Sequence, residues 1–129
     1  MLNTRILNPQ LLSLLARVRH TNALVIADRG FPCWPQIETV DISLMNDVPS
    51  VLQVVAAIRP DFHAVQAFMA SEFQEHNGAA TVAAFARALD GIPLTHEPHV
   101  EFKKRVPCAI GLIRTGESIQ YANLILVSG

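Results

Sequence analysis

An unbroken apolar run, Ala23 to Ala27 (ALVIA), lies between two proton-handling side chains, His20 and Asp28. Branched aliphatic residues without polar alternation leave no face for water. Such a run reads as a short strand covered on both sides, which layers of helix around a sheet provide. Gly30 and Pro32 close the stretch.

The rest of the chain alternates between the helical period and strand-like runs. Asn8-Pro9 is a helix start, with Asn as the cap and Pro in the first turn. Leu11, Leu12, Leu14, Leu15 and Val18 then follow at helical spacing. ETVDISL (38–44) alternates with period two and reads as a second strand. NDVPSVLQVVAAI (46–58) reads as a helix capped by Asn46 or Asp47 with Pro49 early, and HAVQAFMAS (63–71) fits either helix or strand. NGAATVAAFARALDG (77–91) is a helix that Gly91 stops, and PLTHE (93–97) a short strand. A helix follows from Pro98 through HVEFKKR, ended by Pro107, and AIGLIRTG (109–116) and ANLILVSG (122–129) are two further strands. This order predicts one α/β domain over residues 1–129.

Half the residues are apolar and 16% are charged, which sends some apolar surface into subunit contacts. The formal net charge is −1, and no basic tract exceeds Lys103-Lys104-Arg105, which gives nucleic-acid binding little electrostatic support. No apolar run approaches the roughly 20 residues of a membrane span, and MLNTRILNPQ lacks a signal-peptide core. Cys33 and Cys108 are isolated thiols without CxxC spacing, read as reduced cysteines of a cytoplasmic protein. Glycine-rich phosphate loops, nucleophile elbows and metal-ligand spacings are absent. The expectation is a protein without cofactor or metal, working by acid–base chemistry on a small polar ligand.

Four places hold suitable groups at element ends. His20 can exchange a proton near neutral pH, and Asp28 can orient a partner or accept from a hydroxyl. Each also fits a plainer role, His20 as a loop histidine and Asp28 as a cap on the turn before Gly30. An extended strand rises about 3.3 Å per residue, so the two share a site only if the flanks curl inward or different subunits contribute them. His99 and Lys103, four apart, share a helix face, and a helix N-terminus favours a neutral His99. In Tyr121-Ala122-Asn123, the outer two side chains point the same way if the segment is extended, and together they can read two hydroxyls.

In this order and spacing, these places resemble the D-ribose pyranase family, which is related to the L-fucose mutarotases. The segments that carry the resemblance are LNPQLLSLLARVRHTNALVIADRGFP (7–32), DISLMNDVPSVLQVV (41–55), HVEFKK (99–104) and IRTGESIQYANLIL (113–126). HVEFKK and YAN resemble the pyranase branch rather than the fucose branch. The resemblance implies a three-layer α/β/α sandwich around a mostly parallel sheet. It implies a ring homo-oligomer, commonly a decamer, with sites between subunits, and a free monosaccharide substrate, D-ribose. By the same resemblance His20 is the general acid, and Asp28, His99, Lys103, Tyr121, Ala122 and Asn123 are substrate-binding. The sequence departs from the family pattern at Arg19 (usually Gly), Asn22 (usually Asp) and Arg29 (usually small). The two arginines either face solvent and subunit ion pairs or serve a substrate carrying a negative group.

The implied reaction is the opening and reclosing of a sugar ring, which interconverts pyranose and furanose forms and the anomers. A ring oxygen gains a proton, the anomeric hydroxyl loses one, and positioned acid–base groups contribute about 10²–10⁴-fold. The competing readings are an isomerase for another aldose, a sugar-binding protein without catalysis, and a ring-forming structural protein.

Overall fold

The N-terminal helix forms as its spacing predicts. The Asn8 Oδ1 accepts the Leu11 N–H at 2.9 Å, Pro9 opens the helix, and Leu11 and Leu14 are buried. The computed structural model describes residues 1–129. In chain order its elements are α1 (Pro9–Arg17), β1 (Ala23–Ala27), β2 (Glu38–Asp41), α2 (Val51–Ile58), β3 (Ala64–Ala70), α3 (Ser71–His76), α4 (Ala79–Ala88), β4 (Leu94–Glu97), α5 (His99–Arg105), β5 (Gly111–Arg114) and β6 (Leu124–Ser128).

All six strands join one sheet in the order β2-β5-β1-β6-β3-β4. β1 pairs parallel with β5, β5 with β2, and β3 with β4, while β6 is antiparallel to both β1 and β3. Five strands therefore run one way and β6 the other. The expected α/β/α sandwich with a mostly parallel sheet is present, and the reversed strand is its one antiparallel member.

Alternate residues of the central strands enter two separate cores, as an all-apolar run requires. Leu24, Ile26, Ile113, Leu124 and Leu126 face the larger core with α1, α2, Phe73 of α3 and Phe85 of α4. Val25, Ala27, Leu112 and Ile125 face the smaller one with Phe31, Phe102 of α5 and Val106. The second helical layer is thin. The seven-residue α5 and a short 3-10 turn, Val106–Cys108, carry most of it.

Three sequence expectations change. The cap of α2 is Ser50 rather than Asn46 or Asp47. Its side chain accepts the Gln53 N–H at 3.1 Å while the Gln53 side chain takes the Ser50 N–H at 2.8 Å, a reciprocal capping box that leaves Pro49 outside the helix. The ambiguous stretch 63–71 resolves into β3, whose edges pair with β4 and β6. Its end runs straight into α3, a helix too short to show a period in the sequence. ETVDISL keeps strand geometry only to Asp41.

Helix α1 packs so closely on β5 that a Cβ on Gly111 would stand 2.6 Å from Leu14 Cδ1. Leu14 is fully buried and has nowhere to retreat. Gly111→Ala is expected to destabilise the fold by about 1–3 kcal/mol, read as a drop in thermal midpoint. A midpoint equal to the parent's would show that the packing yields.

Candidate functional site

The strand directions decide where polar groups gather. The C-terminal ends of β1, β4 and β5 and the N-terminal entry to β6 lie along one edge of the sheet. That edge is where α/β sheets commonly build ligand sites. It carries Asp28 after β1, His99 after β4, and Tyr121 and Asn123 before β6.

These residues line one cleft of about 450 Å³, together with Gly30, Phe31, Pro32, Lys103 and Gln120. Asn123 is 3% exposed and does two things at once. Its Oδ1 accepts the Asp28 N–H at 2.7 Å, and its Nδ2 donates to Asp28 Oδ2 at 3.1 Å. The Gly30 N–H donates to Asp28 Oδ1 at 3.0 Å. The carboxylate is thereby fixed, and each oxygen keeps lone-pair capacity for a hydroxyl. Asn123→Asp would put two carboxylates in contact, and at neutral pH one must take up a proton. The added group's folded-state pKa is then raised, so stability is present at low pH and lost as pH rises. The expected deficit is about 2–3 kcal/mol at pH 7 and small near pH 4, measured by melting at both values. Equal deficits would contradict this account.

His99 opens α5, and Lys103 stands one turn later on the same face, as their spacing predicts. The His99 ring meets Tyr121 edge-on, with centroids 5.1 Å apart and planes at 89°, and lies 6.4 Å from the Phe31 ring. Its Nε2 is buried and has no protein partner. Burial lowers its pKa below the ordinary histidine value, and the Lys103 charge lowers it further, against smaller opposing effects of Glu72 and Asp28. The imidazole is therefore neutral at pH 7, able to accept a proton or share one with a hydroxyl. The neutral state expected from a helix N-terminus thus comes from burial first and the Lys103 charge second.

Tyr121 and Asn123 both reach the cleft, although not through the extended backbone expected of them. Tyr121 is in the left-handed region, with φ 57°. Ala122 is fully buried in the larger core and does not line the cleft.

His20 is not in the cleft of its own chain. It is exposed, in the turn before β1, at the edge opposite Asp28. The five residues of β1 alone advance roughly 16 Å. The Thr21 N–H is tied to the Ser128 carbonyl at the far end of β6 (2.9 Å), so the flank does not curl back. Neither arginine lines the cleft. The Arg19 guanidinium donates to the Ala16 and Val18 carbonyls at the end of α1, both at 2.8 Å, and its N–H donates to Asn22 Oδ1, also at 2.8 Å. Arg29 donates to Asn46 Oδ1 at 2.5 Å. Arg19 and Asn22, two of the departures from the family pattern, thus build the turn that presents His20. Another depression, of about 440 Å³ between Arg59 and Ile92, has its guanidinium committed to the Ala88 and Asp90 carbonyls at 2.8 and 3.0 Å.

Sequence reasoning did not single out Gln120, Phe31, Thr115 or Glu117. Glu117 is 3% exposed, and its carboxylate accepts the Val51 N–H at 2.9 Å and the Ile119 N–H at 3.2 Å. Its carbonyl accepts the Arg29 N–H at 3.0 Å, and Thr115 Oγ1 donates to the Ala27 carbonyl at 2.8 Å. These two residues hold the turn after β5 against the loop that carries Asp28. Their proximity to Tyr121 in the sequence was an available signal, whereas burial of a glutamate was not.

A family model described as the RbsD / FucU transport protein family matches residues 1–129. The D-ribose pyranase of Laribacter hongkongensis (strain HLHK9) is 40% identical over 124 residues, covering 96% of this chain and 94% of that protein. The D-ribose pyranase of Chromobacterium violaceum is 42% identical over 123 residues, covering 95% and 93%. Among solved structures, Bacillus subtilis RbsD complexed with D-ribose superposes with a TM-score of 0.93 at 30% identity, covering 100% of this chain and 98% of that one. The fucose mutarotase of Streptococcus pneumoniae in complex with L-fucose shares the fold, with a TM-score of 0.80 at 19% identity over 95% of this chain and 92% of that one. A fold built around this cleft and a match along the whole chain agree: the protein belongs to the RbsD / FucU transport protein family.

Proposed function

We propose that this protein is a D-ribose pyranase, a cofactor-independent isomerase that interconverts the pyranose and furanose forms of free ribose. The observation that carries the reading is the buried, unpartnered His99 Nε2 in a cleft otherwise lined by hydroxyl-binding groups. A monosaccharide presents several hydroxyls and an apolar ring face. Asp28, Asn123 and Tyr121 suit the hydroxyls, Lys103 and Gln120 add donors, and Phe31 gives an apolar wall. Ala122 contributes by keeping Tyr121 and Asn123 in place from the core. The relatives named above as D-ribose pyranases support ribose as the sugar.

In this mechanism, an acid protonates the ring oxygen while the anomeric hydroxyl gives up its proton through the clamped groups or a water. The open aldehyde then recloses on a different hydroxyl or on the other face. His20 is the acid. Because it stands at the far edge of its own sheet, a neighbouring copy must bring its His20 to the cleft, with the sites between subunits of a ring such as a decamer. An apolar groove of about 540 Å³ supports such assembly. It is lined by residues including Leu7, Leu11, Ile42, Leu44, Val48 and Val54, with Leu7 76% and Leu44 78% exposed. No helix is long and apolar enough to cross a membrane. Both cysteines are free and exposed, which suits a cytoplasmic protein.

The test is exchange NMR on a panel of aldoses with and without protein. Faster pyranose–furanose exchange for ribose than for other sugars is the expected result. Faster exchange confined to another aldose would replace the substrate, and binding without faster exchange would leave a sugar-binding protein.

A further inference from the structure

We propose that α3 is a bracket for the cleft, with Glu72 and Asn77 as positioning residues that hold His99 and Tyr121 edge to face; the inference rests on the sugar-isomerase reading of the cleft. At one end of α3 both Glu72 carboxylate oxygens accept the His99 N–H, at 3.0 and 3.1 Å. That amide opens α5, whose cap position is Pro98, with no side-chain cap of its own. Glu72 supplies the cap from 27 residues away and fixes the backbone from which the imidazole projects.

At the other end, Asn77 Nδ2 donates to the Phe73 carbonyl at 2.8 Å and to the Gln120 carbonyl at 2.9 Å. The His76 ring stacks on Tyr121, with centroids 5.2 Å apart and planes at 16°. Tyr121 thus lies with one imidazole against its face and the His99 ring at right angles to it. A non-glycine residue persists at φ 57° where its surroundings over-determine it, and Asn77 and His76 do so here. The bracket has a rigid foot, since Phe73 is 1% exposed and packs 4.7 Å from the Phe85 ring. Neither Glu72 nor Asn77 lines the cleft. Both act through residues that do.

The charged and titratable groups around His99 are Lys103 from its own helix, Asp28 from the end of β1, Glu72 from α3 and the Tyr121 phenol. Lys103 disfavours imidazolium, while Glu72 and Asp28 favour it. Removing the Glu72 charge while keeping an acceptor should therefore lower the His99 pKa further.

The experiment follows the His99 imidazole by long-range proton–nitrogen NMR over pH in the intact protein, alongside ribose exchange rates and affinity. Glu72→Gln keeps an oxygen for the amide. It is expected to move the His99 midpoint, and the acid limb of the exchange profile, to lower pH. Glu72→Asp is expected to return both toward the parent. Asn77→Ala and Asn77→Asp, which both remove the donor, are expected to weaken ribose affinity about tenfold, with the midpoint left in place by the uncharged Asn77→Ala. An unmoved midpoint in Glu72→Gln, or parental affinity in both Asn77 variants, overturns the bracket. If the parent accelerates no sugar's exchange, the isomerase reading fails, and the imidazole titration still judges Glu72.

Discussion

His20→Ala is expected to lower the catalysed exchange rate by about 10²–10⁴-fold, and mixing it with a second inactive variant is expected to bring activity back. The second variant is His99→Ala, which spoils the cleft and leaves His20 intact. Within one chain the two residues are at opposite edges of the sheet, His20 before β1 and His99 after β4. If each site takes His20 from a neighbour, a mixed ring contains clefts from His20→Ala chains facing histidines from His99→Ala chains. Random assembly at equal amounts makes about a quarter of the sites whole. Mixing after dissociation and reassembly, followed by exchange NMR, measures that fraction. Recovery near zero in rings shown by native mass to be mixed would mean that His20 serves its own chain or no cleft at all. Full activity of His20→Ala alone would remove it from the mechanism.

Glu117→Ala is expected to destabilise the fold strongly, although Glu117 does not line the cleft. The carboxylate is 3% exposed and meets two N–H donors, those of Val51 and Ile119. Val51 is the first residue of α2, so the carboxylate also sits where the helix dipole favours negative charge. Truncation removes two charge-assisted bonds and strands both donors, at a cost of about 3–5 kcal/mol. For a chain of this length that is roughly 10–20 °C in thermal midpoint. Glu117→Gln, which can satisfy one donor but turns an amide N–H toward the other, should fall between. A midpoint for Glu117→Ala within a few degrees of the parent would show that water replaces the carboxylate. Because the Glu117 carbonyl also receives the Arg29 N–H, the loss should reach the loop carrying Asp28 and weaken sugar binding.

Much of the molecule was legible from one dimension. Asn8-Pro9 starts a helix because cap chemistry is local, and Gly91 follows α4 at φ 80° because glycine adopts that backbone without strain. ALVIA is a doubly covered strand because its residues offer water no face. The spacing of His99 and Lys103 put both on one wall of the cleft, since the helical period is a property of the backbone. Where local signals misled, a competing local signal was usually stronger. Ser50 with Gln53 beats Asn46 and Asp47 as the α2 cap, because two reciprocal bonds outweigh one.

The sequence by itself determined the elements and the kinds of chemical group at their ends. Tertiary structure decided which ends meet. The pairing of β1 with β5 and β6 puts the end of one strand beside the beginning of another, so Asp28 and Asn123, 95 residues apart, share two hydrogen bonds. The same pairing sends His20 to the opposite edge, although it is far nearer to Asp28 in the chain. Two other features were equally out of reach of the sequence. One is the burial of Glu117, and the other is the cap that Glu72 gives to His99. Both come from partners distant in the chain, whose positions are set by sheet order, strand direction and core packing, not by local propensity.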